Sequence, residues 1–157
     1  MQKPWNIPNL PVYSLATHVN GQSNMNICTY VSAVSMQPKL YAIAVYNNTK
    51  TLENIERVEV AVLQLLHSSH ASLIKKLGQT SGKNYNKQKY LEKKGVLTEW
   101  NGFSILQNLS AVVLLKKKEA IQTGDHKLFV FEALQHKSFN KEYLTVDFLR
   151  EKKIIRG

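Results

Sequence analysis

The chain has 157 residues, 43% of them hydrophobic and 20% charged, which is ordinary for a globular protein and fits one domain over residues 1–157. Its single cysteine, Cys28, excludes an internal disulfide and predicts a reducing environment. The net charge of +10 raises the question of nucleic-acid binding, but the lysines are dispersed and only three arginines occur. We therefore expect no nucleic-acid partner, because attraction of anionic nucleotides explains the charge at least as well.

Membrane and export signals are missing from the sequence. The N-terminus lacks the basic-then-apolar pattern of a signal peptide. The longest apolar runs, such as residues 111–115, fall well short of the roughly 20 residues that a spanning helix needs. The sequence therefore predicts a cytoplasmic protein with no membrane contact.

Strand-like segments outnumber helical ones. The predicted strands are residues 11–17, 27–34, 40–46, 59–66, 110–117, 127–134 and 143–148. The predicted helices are residues 51–57, with Thr51 as N-cap, 69–77 and 86–94. Because the strands are mostly separated by turns, the pattern predicts a mainly β protein: an antiparallel β-barrel with peripheral helices.

The turn over residues 46–51, reading YNNTKT, leads from an apolar strand into a helix. A helix N-terminus offers unpaired backbone N–H groups and a partial positive charge. Thr49 and Thr51 would add hydroxyl donors, and Lys50 would add a point charge. The turn therefore suits a phosphate, although an ordinary strand-to-helix turn capped by Thr51 has the same composition.

The preceding strand, predicted from residue 27, carries polar residues between apolar ones. Side chains alternate along a strand, so Thr29 and Val31 share one face while Tyr30 and Ser32 share the other. Backbone groups at a strand end can also pair with the pyrimidine edge of a flavin ring. A plain barrel strand, in which Thr and Ser are only strand formers, has the same pattern.

A third group is the turn Gly124-Asp125-His126, which leads into the most apolar strand. A histidine at a strand entrance can hydrogen-bond a ligand or act as an acid near neutral pH. The same residues can also simply close a tight turn through the Asp side chain. The other four histidines show no metal-ligand spacing and Cys28 is the only thiol, so no metal site is predicted.

These three groups occur in one order, and in that order the chain resembles the flavin reductase-like proteins of the FMN-binding split-barrel superfamily. The resemblance covers about residues 11–134. The matching pieces are residues 26–38, 40–45 with 49–55, 62–66 and 124–126.

The resemblance implies a six-stranded antiparallel Greek-key split barrel of the FMN-binding type, usually a homodimer with FMN near the subunit interface. It implies an NAD(P)H:flavin reductase, in which NADH or NADPH gives a hydride to flavin N5 and no protein acid or base is required. The implied cofactor-binding residues are Asn26, Thr29, Tyr30, Val31 and Ser32 along the ring and ribityl chain, Asn48, Thr49, Lys50 and Thr51 at the phosphate, and His126 as a positioning residue for nicotinamide and flavin.

The chain departs from the family pattern in two places. Gln64 stands where the family often has Asn, and residues 147–157 replace the usual C-terminal run. Because that C-terminal end can touch the ligand site, an FMN-binding protein without reductase turnover, such as a sensor or electron-transfer module, is the alternative. A basic nucleic-acid-binding barrel is the third hypothesis, and it predicts an affinity that falls steeply with salt.

Overall fold

The structure is a computed structural model that describes residues 1–156. The strands are β1 (Tyr13–Val19), β2 (Gln22–Met25), β3 (Val31–Ser35), β4 (Leu40–Tyr46), β5 (Val60–Leu65), β6 (Leu97–Trp100), β7 (Phe103–Leu106), β8 (Ala111–Gln122) and β9 (His126–Ser138). The helices are α1 (Lys50–Arg57), α2 (Ile74–Gln79), α3 (Lys87–Lys94) and α4 (Val146–Glu151), with short 3-10 segments at Pro4–Asn6 and Ser68–Leu73. Within residues 1–156, no helix is long and apolar enough to cross a membrane.

Seven strands form one antiparallel sheet in the order β2-β1-β5-β8-β9-β4-β3, and β6 and β7 form a separate hairpin. The mainly β, antiparallel prediction with peripheral helices is therefore confirmed. The strand count differs from the six expected. The additional strand β2 arises because Asn20 and Gly21 both adopt positive φ (50° and 77°), the conformation of a two-residue hairpin turn.

The chain between residues 22 and 35 pairs with both edges of this sheet. β2 pairs with β1, and Cys28 continues the same register by exchanging backbone hydrogen bonds of 2.8 and 2.9 Å with Tyr13. Further along, Tyr30 O accepts from Ala44 N at 3.0 Å and β3 pairs with β4. The segment over residues 26–30 thus crosses from one sheet edge to the other without a regular ladder.

The predicted strand over residues 27–34 is consequently wrong in its first half, since β3 begins at Val31. The side chain of Asn26 replaces a backbone hydrogen bond that is lost where the strand ladder is interrupted. Its side-chain Oδ1 accepts the backbone N–H of Leu15 at 2.8 Å, in the place where a ladder carbonyl would stand. Within residues 1–156, the backbone N–H groups of Thr29 and Tyr30 have no partner and are available to a neighbouring cleft.

Two further predictions are corrected at helix starts. Residues 143–148 are not a strand, because Thr145 caps α4 by accepting from Phe148 N, and Asp147 in the first turn favours the helix N-terminus. The N-cap of α1 is Thr49 and not Thr51, since the Thr49 side chain accepts from Leu52 N at 3.2 Å. The predicted helix over residues 69–77 is split into a 3-10 segment followed by α2.

The core consists of two clusters of buried apolar side chains, and these fix the helices on either side of the site. Ile55 of α1 packs with Phe129 and Phe131 in one cluster. Leu77 of α2 and Leu91 of α3 belong to the other. The helices α1 and α2 are therefore anchored in different core clusters, and a cleft lies between the start of α1 and the end of α2.

The buried His70 and the partly buried His18 are expected to make the fold sensitive to acid. Burial lowers the pKa of His18 and His70 below the ordinary 6.5, and His70 is fixed as a neutral ring because its Nδ1 accepts from His67 N at 2.9 Å while its Nε2 donates to Gln107 O at 2.6 Å. Below pH 6.5 the unfolded chain takes up protons that the folded chain refuses, so stability is lost as the pH falls towards the folded pKa values.

We therefore expect the free energy of unfolding, measured by urea denaturation, to decrease between pH 7 and pH 5. The variant His70→Gln should show a smaller decrease over the same interval, because a titrating group has been removed. The exposed His136 provides the matched control, and His136→Gln should keep the wild-type dependence. An equal pH dependence in all three proteins would contradict this account.

Candidate functional site

A cleft of about 550 Å³ opens where residues 26–30 leave the sheet. Its other walls are the end of β4 with the start of α1, and the end of α2 with the loop that follows it (residues 77–82). Lys87 of α3 and His126 of β9 complete the lining. The volume is within the roughly 300–1,000 Å³ of small-molecule sites, and within residues 1–156 no carboxylate lines it.

The structure brings eight of the ten predicted site residues together in this cleft. They are Asn26, Thr29, Tyr30, Asn48, Thr49, Lys50, Thr51 and His126. Val31 and Ser32 lie outside its lining, because β3 has by then joined β4. The Ser32 hydroxyl is exposed and donates to Ala33 O at 3.2 Å.

The polar end of the cleft is the start of α1. Asn48 turns the chain with a positive φ of 61°. The Thr49 hydroxyl donates to Tyr46 O at 2.8 Å and accepts from Leu52 N, so both its donor and its acceptor functions are occupied within the turn. The next two backbone N–H groups, of Lys50 and Thr51, have no partner within residues 1–156. They are therefore free donors beside a cleft.

Thr51 and Lys50 differ in what their side chains offer. Thr51 is buried, and its Oγ1 accepts from Asn24 Nδ2 at 3.3 Å, which leaves its own hydroxyl proton available. Lys50 is partly exposed and forms an ion pair of 3.1 Å with Glu53, a kind of surface pair that contributes little to stability. Lys50 can therefore turn towards an anion at little cost, and Thr51 has a hydroxyl proton to donate.

Lys87 is the more buried of the two lysines that line the cleft, and sequence reasoning did not identify it. It is only 6% exposed, and its Nζ donates to Leu77 O at 2.6 Å. No carboxylate lies within 4 Å of its Nζ in the described part of the chain. Burial lowers the pKa of Lys87 to about 8. A buried ammonium without a counter-charge favours an anionic ligand.

An aromatic cluster also lines the cleft. The His126 ring lies with its centroid 5.1 Å from that of Tyr30 and 5.1 Å from that of Tyr46. Asp125 Oδ1 lies 2.6 Å from His126 Nδ1, and the backbone bond from Asn47 N to Asp125 O (2.9 Å) ties this turn to the start of α1. Both tyrosines are more than half exposed, so ring faces are available for stacking.

The loop after α2 is a part of the site that sequence reasoning missed. A side chain at Gly78 would press on Ile27, its Cβ lying 3.2 Å from two carbons of Ile27, and one at Gly82 would clash with Asn24 Oδ1. Gly78 lets the end of α2 approach Ile27 of the crossing segment, and Gly82 lets the following loop approach Asn24 of β2. The signal in the sequence is the run GQTSG, two glycines enclosing hydroxyl side chains.

The remaining candidate groups have structural roles. Cys28 lines the cleft, but burial raises the pKa of its thiol to about 12, so it is protonated near neutral pH. Gln64 is buried, and its Oε1 accepts from Leu106 N at 2.8 Å. Within residues 1–156, no group of three or more His, Cys, Asp or Glu side chains is arranged to hold a metal ion, and none of residues 147–156 lines the cleft.

Comparison with known proteins finds solved structures of the same fold. The structure is similar to an FMN-binding protein from Thermus thermophilus with bound p-hydroxybenzaldehyde (17% identity, TM-score 0.77, 90% of this chain and 78% of that chain). It is also similar to a flavoredoxin from Methanosarcina acetivorans (20% identity, TM-score 0.75, 92% and 77%) and to the flavin reductase PheA2 (21% identity, TM-score 0.74, 88% and 85%).

At these identities the structural likeness establishes the fold alone. A search of curated protein sequences gave no significant match. The family model described as flavin reductase like domain matches residues 9–151, which is most of the chain. The chain therefore belongs to the flavin reductase-like family.

Proposed function

We propose that the protein binds FMN in the cleft and is an NAD(P)H-dependent flavin reductase. The observation that carries the proposal is the lining of the cleft in a chain of this family: free N–H donors, a buried lysine and aromatic rings face the same space. A phosphorylated planar ring matches this arrangement. Bound FMN would supply an acceptor for a hydride at N5.

The phosphate would lie at the start of α1. The backbone N–H groups of Lys50 and Thr51 and the Thr51 hydroxyl would donate to its oxygens, and Lys87 would balance its charge. Thr49 would act indirectly, since its hydroxyl is fully used in holding the turn. Asn48 likewise shapes the turn through its positive φ.

The ring would lie along the crossing segment. The backbone N–H groups of Thr29 and Tyr30 have no partner within residues 1–156 and line the same cleft. They could donate to the oxygen-bearing edge of the ring, where negative charge increases on reduction. Asn26 holds this segment in place through Leu15 N, so its contribution is to position these donors.

The chain residues would act by orientation and by excluding water, and none would need to transfer a proton. Tyr30 and His126 would bound the space in which nicotinamide stacks on the flavin. Asp125 fixes the orientation of the His126 ring through Nδ1. His126 is therefore a positioning residue.

The variant His126→Ala should raise the KM for NADH or NADPH several-fold while changing the Kd for FMN by less than about twofold. The reason is that His126 is not among the donors assigned to the phosphate, and its ring lies beside those of Tyr30 and Tyr46. Steady-state kinetics and FMN titration measure the two quantities, with His136→Ala as control. An equal loss of both would make His126 a structural turn residue.

We also propose the finer features of the family for this chain: closure of the sheet into a Greek-key split barrel, and a homodimer. Closure is supported by the run over residues 22–35, which pairs with both sheet edges. A dimer is supported by large apolar side chains exposed on the sheet and beside it, at Val34, Met36, Ile121 and Leu134.

Purified protein mixed with FMN and reduced anaerobically with NADH or NADPH tests the activity. Bleaching of the flavin absorbance near its visible maximum, followed by steady nucleotide consumption in air, is expected. An FMN complex that is not bleached by either nucleotide would support the alternative of a flavin-binding protein without turnover. Failure to bind FMN at all would contradict both.

A further inference from the structure

Four buried polar side chains join the β1–β2 hairpin to α1 beside the cleft. They are Thr17, Asn24, Thr51 and Asn54, and none is more than 7% exposed. Thr17 and Asn24 are directly paired across the hairpin, so their side chains share one of its faces. Thr51 and Asn54 are three residues apart in α1 and therefore share one face of the helix. The two faces meet, because each hairpin residue is hydrogen-bonded to one of the helix residues.

The hydrogen bonds of these four residues fix which group donates and which accepts. Asn54 Nδ2 donates to Thr17 Oγ1 at 3.0 Å, and Thr17 Oγ1 donates to Asn24 O at 3.4 Å. Asn24 Nδ2 donates to Thr51 Oγ1 at 3.3 Å. An amide N–H can only donate, so each hydroxyl oxygen accepts and its own proton points elsewhere. The Thr17 proton has Asn24 O as its acceptor, whereas the Thr51 proton has none within residues 1–156.

Thr51 therefore presents an oriented donor to the cleft that it lines. Its hydroxyl proton adds to the unpaired backbone N–H groups of Lys50 and Thr51 beside the same cleft. A buried donor without a partner is unfavourable, and a ligand that brings an acceptor relieves this cost. An ionised phosphate brings acceptors only, whereas a ligand hydroxyl also has a proton that needs a partner of its own.

We propose that Asn24 is a positioning residue that makes the cleft prefer phosphorylated over unphosphorylated flavin. Its amide occupies the Thr51 oxygen, and the Thr51 proton is thereby directed to the phosphate. Glycine at position 82 leaves room for the amide, since a Cβ there would clash with Asn24 Oδ1. The inference rests on the proposed function, because it takes the flavin phosphate to lie at the start of α1.

A double-mutant cycle of Asn24→Ala and Thr51→Val tests the inference, with FMN and riboflavin as ligands. Asn24→Ala should weaken FMN binding about three- to tenfold and leave the Kd for riboflavin within about twofold. In Thr51→Val, which lacks the hydroxyl, adding Asn24→Ala should change the Kd for FMN by less than about twofold. Gln22→Ala removes an exposed amide from the same strand outside the cleft, and as the matched control it should leave every Kd unchanged.

An isosteric variant covers the case in which Asn24→Ala fails to fold. Asn24→Asp keeps the shape of the side chain but has no N–H to donate, and its carboxylate would take up the Thr51 proton. It should therefore weaken FMN binding more in the presence of Thr51 than in Thr51→Val. An equal effect of Asn24→Asp in the two backgrounds would contradict the inference.

The other outcomes separate the two proposals. If the losses from Asn24→Ala and Thr51→Val multiply, or if Asn24→Ala weakens FMN and riboflavin equally, Asn24 is a structural residue and the inference is overturned while the flavin site stands. Tighter FMN binding by Asn24→Ala would also overturn it, because Asn24 Oδ1 would then have been taking up the Thr51 proton. If the wild type binds no FMN, the proposed function fails and the inference fails with it.

Discussion

Replacing Lys87 with glutamine is expected to weaken FMN binding by about 10- to 100-fold at pH 7. A hydrogen bond to a charged group contributes roughly 1.5–3 kcal/mol, and each 1.4 kcal/mol is tenfold in affinity. Glutamine keeps an N–H donor for Leu77 O, so the end of α2 stays capped and only the charge is removed. Riboflavin, which lacks the phosphate, should bind the variant within about twofold of the wild type.

The same lysine predicts the pH dependence of the wild type. In the free protein burial lowers the pKa of Lys87 to about 8, and a bound phosphate would raise it because the anion favours the ammonium form. Above pH 8 binding must therefore take up a proton, and the affinity for FMN should fall as the pH rises towards 10. The affinity of Lys87→Gln should be nearly flat over this range.

Isothermal titration calorimetry at several pH values measures both effects, and buffers of different ionisation enthalpy report the proton uptake directly. Lys93→Gln, on the exposed face of α3, is the matched control and should behave like the wild type. If Lys87→Gln weakens FMN and riboflavin equally, Lys87 supports the fold of the cleft and does not balance a phosphate charge.

The double variant Lys50→Ala/Thr51→Ala should weaken FMN binding by more than about tenfold. It removes the Thr51 hydroxyl and one of the two lysines that line the cleft. The backbone N–H groups and the Thr49 cap remain, so binding should be reduced and not abolished. Fluorescence quenching of FMN on titration with protein gives the Kd.

The control for this variant is again riboflavin, whose affinity should change by less than about twofold. Far-UV circular dichroism should show that α1 is retained, because the capping bond comes from Thr49. Wild-type affinity for FMN in the double variant would show that the phosphate does not lie at the start of α1, whatever the activity of the protein.

Strand composition predicts much of the fold, but it does not show every turn at which one strand ends and the next begins. β-branched and aromatic runs correctly indicate β4, β5, β8 and β9. The two hairpins that were missed, at Asn20-Gly21 and Asn101-Gly102, both carry the Asn-Gly pair of a tight turn with positive φ. The missed strands β2, β6 and β7 have only four residues each, so composition alone does not indicate them.

The α4 error has a similar cause. Residues 143–148 contain the aromatic and β-branched residues of a strand, yet Thr145 begins a helix there. The capping threonine, Asp147 and Arg150 are local signals for a helix, and they outweigh the strand propensity of Tyr143 and Val146. Propensity is a weak guide where capping groups are present.

Only the parts of the site that are continuous in the sequence could be predicted from it. The turn at residues 46–51 and the His126 turn are local sequence features, and the pairing of Tyr46 with His126 across β4 and β9 brings them together. Lys87 and the loop over residues 78–82 reach the cleft through tertiary packing against Ile27 and Asn24. The local sequence does not distinguish Lys87 from the exposed lysines that surround it.

A crystal structure of the protein with FMN tests the central claim most directly. The account predicts phosphate oxygens within hydrogen-bond distance of the backbone N–H groups of Lys50 and Thr51 and near Lys87 Nζ, with the flavin ring beside Tyr30 and His126. A flavin bound in the reverse direction, or bound outside this cleft, would contradict it.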